Sequence, residues 1–81
     1  KTGNRKRLAQ LILQLAEGVV PRSERPGRMR LPLTRRDMAA ALGVEPETVS
    51  RLISRLRDEG VLRISGRWIE TESLDRLSKI A

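Results

Sequence analysis

The stretch from Thr34 to Glu59 reads T-R-R-D-M-A-A-A-L-G-V-E-P-E-T-V-S-R-L-I-S-R-L-R-D-E, and the remainder of the chain is read outward from it. Thr34 suits a helix N-cap, because its hydroxyl can accept a hydrogen bond from a free N–H of the first turn. Asp37, three residues on, puts negative charge near that helix start and approximates a capping box. Met38, Ala41 and Leu42 then recur at helical spacing, and Ala39 is small. Gly43 reaches the left-handed conformation that ends a helix without steric cost. Val44 is apolar and can fold back onto a core. Pro46 fits the first turn of a second helix, where its missing N–H is not needed.

The second helix, about residues 46–59, divides cleanly into two faces. Val49, Leu52, Ile53 and Leu56 stand at i, i+3, i+4 and i+7 and form one apolar stripe. Glu47, Ser50, Arg51, Ser54 and Asp58 fall on the opposite side, with Thr48 and Arg55 flanking. An ordinary amphipathic helix with a solvated polar face would show the same division. The N-terminal half of the outer face is less ordinary, since it carries side chains able to read base edges. Arg51 suits guanine O6 and N7, Glu47 can accept from cytosine N4, and Ser50 can meet either kind of group. Small Ala39, turn-forming Gly43 and the apolar positions Met38, Leu42, Val44, Val49 and Leu52 are what two closely crossing helices need in a helix-turn-helix.

Length and composition narrow the options. At 81 residues the chain holds one small domain. It has no cysteine and no histidine, which removes disulfides, the usual metal ligands, thiol nucleophiles and imidazole acid–base chemistry. Asp58 and Glu59 are adjacent on a helix and do not face each other, so no catalytic carboxylate pair is visible. An enzyme is not expected, nor a metal or cofactor site in this chain. No apolar run is long enough for a membrane helix, and a cytoplasmic protein is the default expectation. The net charge is +7, and arginine supplies 14 of the 17 basic residues. Arginine is the side chain suited to bidentate phosphate and guanine recognition. With Trp68 as the one aromatic residue there is no stacking platform for single strands, which makes duplex DNA the better partner.

The flanks fill out the domain. Residues 1–7 are polar and basic and read as the remnant of a linker. Leu8, Leu11, Ile12 and Leu15 make a helical stripe that Gly18 stops. Residues 19–28, with two prolines and three arginines, read as a loop. Arg30 to Leu33 is a short extended entry to the first helix of the pair, with Pro32 at a sheet edge. After Gly60, residues 61–64 read as a strand, Ser65-Gly66 as a two-residue turn and residues 67–70 as the returning strand. A hairpin directly behind a groove-reading helix is a wing, which would set Ser65, Gly66 and Arg67 near the phosphate backbone. The alternative is a hairpin that only covers the core, a task expected of Trp68 and Ile69 in either case. Thr71 or Glu72 starts a last short helix carrying Leu74, Leu77 and Ile80. The fold expected is mainly α with a small β-hairpin, a winged helix-turn-helix domain spanning residues 1–81.

Thr34-Arg35, Gly43, Glu47-Thr48-Val49-Ser50-Arg51, Leu56, Glu59-Gly60 and the Gly66 turn resemble the DNA-binding domain of the Crp–Fnr family of bacterial transcription regulators. The resemblance runs from about Leu8 to the end. Its most specific part is E-x-x-S-R at Glu47, Ser50 and Arg51, the form of the Fnr and FixK-like branch. The cyclic-AMP receptor branch has Gly at the place of Ser50 and Arg at the place of Pro46. The resemblance implies a palindromic operator with TTGA-type half-sites, Arg51 on guanine, Glu47 on the paired cytosine and Ser50 on a thymine. It implies phosphate contacts from Thr34, Arg35, Thr48 and the Ser65–Gly66 turn, and a surface for RNA polymerase at loop 19–28. Family members carry a sensor domain and a dimerisation helix, which have no counterpart in residues 1–81. The resemblance therefore implies the output part of a homodimeric regulator, monomeric or weakly associating by itself, whose effector is read elsewhere. A winged-helix protein-interaction module, or a winged-helix regulator of another family, is the competing expectation. Glu47, Ser50 and Arg51 discriminate against the interaction module, since core packing does not require those identities.

Overall fold

A computed structural model describes residues 3–18 and 27–81. They form α1 (Asn4–Gly18), β1 (Arg28–Arg30), α2 (Arg35–Leu42), α3 (Pro46–Asp58), β2 (Ile64–Ser65), β3 (Trp68–Glu70) and α4 (Glu72–Ser78) in chain order. The strands make one antiparallel sheet in the order β1-β3-β2. The fold is the winged helix-turn-helix expected, with a third strand added to the hairpin.

The helical pair is built by local chemistry. Thr34 caps α2: its Oγ1 accepts the Asp37 amide at 3.1 Å, while the Thr34 amide donates to Asp37 Oδ2 at 3.4 Å. Gly43, at φ 71°, ends the helix. Its amide reaches the Ala40 carbonyl at 3.2 Å and the Val44 amide reaches Ala39 at 3.0 Å, the paired bonds of a left-handed helix stop. Two residues later Pro46 opens α3. The same stop recurs behind α3, where the Gly60 amide meets Arg57 and the Val61 amide meets Leu56, at 3.0 and 2.9 Å. Each helix of the pair thus ends where a glycine permits the turn.

Core formation follows the stripes, with corrections. Leu8, Ala9 and Ile12 of α1, Met38, Ala39 and Leu42 of α2, Val49, Ile53 and Leu56 of α3 and Leu77 of α4 are buried together with Met29, Leu31, Leu62, Ile64 and Ile69. On α2 it is Ala39 that faces the core, at 1 % exposure, whereas Ala41 is turned to solvent. Helical period does not choose between them, since Ala39 and Ala41 stand about 80° to either side of the direction that Met38 and Leu42 fix, and the way α2 packs in the core decides. Leu11, Leu15 and Leu52 are only partly buried, at the margins of their stripes.

α1 begins at Asn4, so residues 4–7, read from sequence as a linker remnant, form its first turn. Their charges are anchored by the fold: Arg7 Nη2 donates to the Leu42 carbonyl at 2.7 Å, and Arg5 pairs with Glu59. A cation on the last carbonyls of α2 is favourable, because that end of a helix carries partial negative charge.

The sheet departs from expectation in three places, the first being that of residues 61–64, read as a strand, only Ile64 enters β2. Arg28, placed in a loop, begins β1, with Arg28, Met29 and Arg30 opposite Glu70, Ile69 and Trp68. Pro32 then lies beyond the ladder, where its missing N–H costs nothing. In the hairpin Ile64 pairs with Ile69 and Ser65 with Trp68, so the two-residue turn is Gly66-Arg67, not Ser65-Gly66. Burial decides this register: it sets Ile64 and Ile69 opposite each other on the core side. Trp68 consequently points outward, 37 % exposed, and covers less of the core than expected. The loop assigned to residues 19–28 lies outside the described residues up to 26.

Candidate nucleic-acid interface

α3 presents one continuous polar surface opposite its buried stripe. Glu47, Ser50 and Arg51 are exposed on it, and Pro46, Glu47, Ser50, Arg51 and Ser54 line a single shallow depression. Among the described residues, none of these five enters an ion pair, so the Arg51 cation and the Glu47 carboxylate are both available to a partner. At about 1.5 Å per residue the 13-residue helix is roughly 20 Å long, a rod that a major groove admits. Because Val49, Ile53 and Leu56 are at most 1 % exposed, this outer face is held rigidly in place.

The residues expected to hold phosphates fall into two groups that the fold joins. Thr34 and Arg35 lie at the start of α2, where free N–H groups and the helix dipole favour an anion. The Thr34 oxygen is already an acceptor in the capping box, and its O–H remains to donate. Ser65 and Gly66 sit at the tip of the hairpin, both exposed, with Gly66 at φ 61°. Arg35 connects the groups: its Nη1 donates to the Gly66 carbonyl at 3.1 Å. Thr48, in the first turn of α3, is half-buried on the flank of this exposed polar face.

Arg67 is placed differently from the others. Its Nε and Nη2 donate to the Leu31 carbonyl at 3.1 and 2.9 Å in a part-buried setting. Neither that fork nor the Arg35–Gly66 bond is visible in the sequence, since the partners lie 36 and 31 residues away. The nearest available signal is the density of arginine around the wing and the entry to α2. Among the described residues there is no cluster of potential metal ligands, and no helix is long and apolar enough to cross a membrane.

Comparison with known proteins bears on the family and the fold. Residues 6–80 match the family model of the Crp-like helix-turn-helix domain. The whole chain is 36 % identical over 81 residues to the fumarate and nitrate reduction regulatory protein of Escherichia coli K12, covering 32 % of that protein. The chain thus spans about a third of the length of the curated relatives it matches. Among solved structures, FixK2 from Bradyrhizobium japonicum superposes with a TM-score of 0.75 at 35 % identity, over 94 % of this chain and 37 % of that one. A transcriptional regulator of the CRP/FNR family from Thermus thermophilus superposes with a TM-score of 0.78 at 32 % identity, over 99 % of this chain and 41 % of that one.

Proposed function

The chain belongs to the Crp-like helix-turn-helix domains, the DNA-binding domains of Crp–Fnr transcription regulators and not enzymes, and on that premise we propose how it meets DNA. In this reading α3 enters the major groove. Arg51 contacts guanine O6 and N7, Glu47 accepts from the paired cytosine, and Ser50 meets a thymine within a TTGA-type half-site. Thr34, Arg35, Thr48 and the wing residues Ser65 and Gly66 lie along the phosphate backbone on either side, fixing register without reading sequence. The observation that carries this reading is the surface of α3: Glu47, Ser50 and Arg51 are exposed together on a helix whose other face is locked into the core.

The regulator as a whole is proposed to be a cytoplasmic homodimer that pairs two such domains on a palindromic operator and associates with the nucleoid when bound. Its effector would be read outside residues 1–81, and residues 19–28, read from sequence as a loop, are proposed as a surface for RNA polymerase. The test is a fluorescence-anisotropy titration of a TTGA-containing duplex and a scrambled one over several salt concentrations, with the chain fused to a dimerising coiled coil. We expect discrimination that survives added salt and is lost in Arg51→Ala, with a cost of about 1–3 kcal/mol on the TTGA duplex and relaxed preference at one base pair. Equal, steeply salt-dependent binding to both duplexes would reduce the interaction to charge alone. Absence of binding to either would favour a protein-interaction module.

A further inference from the structure

The wing turn is tied down on both sides by arginine side chains. Leu31 and Arg67 exchange three hydrogen bonds: the Leu31 amide donates to the Arg67 carbonyl at 2.8 Å, and Nε and Nη2 of Arg67 return to the Leu31 carbonyl. These bonds extend the β1–β3 ladder one step beyond the Arg30–Trp68 pair, with the guanidinium supplying the donors on the Leu31 carbonyl. Leu31 itself is 1 % exposed, so its carbonyl would be costly to leave without a partner. At the other side of the turn Arg35 holds the Gly66 carbonyl.

The hairpin needs such ties. β2 has two residues and β3 three, far short of what stands alone in water. A turn that is ordered before it meets DNA does not spend binding free energy on becoming ordered. The two arginines differ in what they have left to offer. Arg35 spends one of its N–H groups on Gly66, in an exposed setting, and keeps the remainder for an anion. Arg67 commits its Nε–Nη2 edge to a backbone carbonyl and keeps only the Nη1 end of its guanidinium for a further partner.

We infer that Arg67 is a positioning residue of the DNA-binding surface, holding the wing turn against the segment that leads into α2, while Arg35 bridges that turn to the phosphate backbone. This rests on the DNA-binding reading above. It reassigns Arg67, whose charge the sequence alone places on phosphate.

The experiment compares the 81-residue chain with Arg67→Ala, Arg67→Lys and Arg35→Ala in two measurements. One is amide hydrogen exchange at Leu31 in the free protein; the other is anisotropy with a TTGA-containing duplex over a salt series. Arg67→Ala should lower Leu31 protection and weaken DNA binding roughly three- to tenfold, while leaving the slope of log K against log salt at its wild-type value. Arg35→Ala should instead lower that slope by about one. Lysine keeps the charge but not the fork, so Arg67→Lys should fall short of wild type in Leu31 protection. A slope lowered by about one in Arg67→Ala, or wild-type protection in both Arg67 variants, would overturn the assignment. If Arg67→Ala does not fold, Arg67→Lys carries both measurements. Should the wild-type chain fail to distinguish the duplex from a scrambled one, the DNA reading falls, and the exchange data still decide whether Arg67 holds the turn.

Discussion

Thr34 Oγ1 accepts the Asp37 amide and still has a proton to give, so one hydroxyl serves both the cap and the proposed phosphate contact. Thr34→Ala removes both functions. Stability should fall by about 1 kcal/mol, within a range of roughly 0.5–2, seen as a lower midpoint in urea. Thr34→Asp separates the functions: it preserves a capping oxygen and restores stability, but it sets a carboxylate against the phosphate and should weaken DNA binding further. DNA affinity in Thr34→Asp equal to wild type would remove Thr34 from the phosphate set. The residues of this unit were legible in the sequence because each acts on neighbours. Thr34 reaches three residues ahead, Gly43 stops its own helix, and Pro46 starts the next. Arg35 and Arg67 were legible only as charges. Their hydrogen-bond partners stand more than thirty residues away, at distances set by how the sheet seats against the helices and by no local period.

At the level of elements, helical stripes were the most readable signal, because a 3.6-residue period repeated over three turns leaves one direction for the core. Short strands were the least. β1 is Arg-Met-Arg, with one buried residue between two exposed arginines, and it becomes a strand only by pairing with β3. Hairpin register was one residue off for a related reason: Ser65-Gly66 and Gly66-Arg67 are both acceptable turns, and the choice between them is made by Ile64 meeting Ile69 in the core. Another inter-element contact escaped the sequence altogether. Ser73 on α4 is fully buried, and its Oγ accepts the Arg63 amide at 2.9 Å, which fastens the last helix to the segment entering the wing. Ser73→Ala would strand that part-buried amide, at a cost of about 1–3 kcal/mol. Denaturant titration should show the loss as a shifted midpoint with an unchanged m-value. A change below about 0.5 kcal/mol would mean that water takes the place of the hydroxyl.

For the molecule as a whole, the +7 charge favours attraction to any duplex, and in the proposed reading specificity comes from a small number of side chains on α3. If one such domain covers one half-site, as proposed, the isolated chain should bind a single TTGA element weakly. Joining two copies through a coiled coil, with half-sites about one helical turn apart, should tighten binding roughly 10²–10⁴-fold. Displacing one half-site by half a turn should abolish that gain, and a gain that persists would point to charge in place of paired recognition.

The outward turn of Trp68 has one more consequence, an optical one. The chain has no tyrosine or phenylalanine, so its ultraviolet fluorescence originates from this single indole on β3, 37 % exposed on the outer face of the sheet. Far-ultraviolet circular dichroism, in contrast, is dominated by α1 to α4. Each signal therefore watches a different part of the molecule without any label being introduced. Because Ile64 and Ile69 anchor the sheet in the same core as the helices, the two melting curves should coincide. Emission that shifts at a lower temperature than the helical signal would reveal a wing that comes loose while the helices stand.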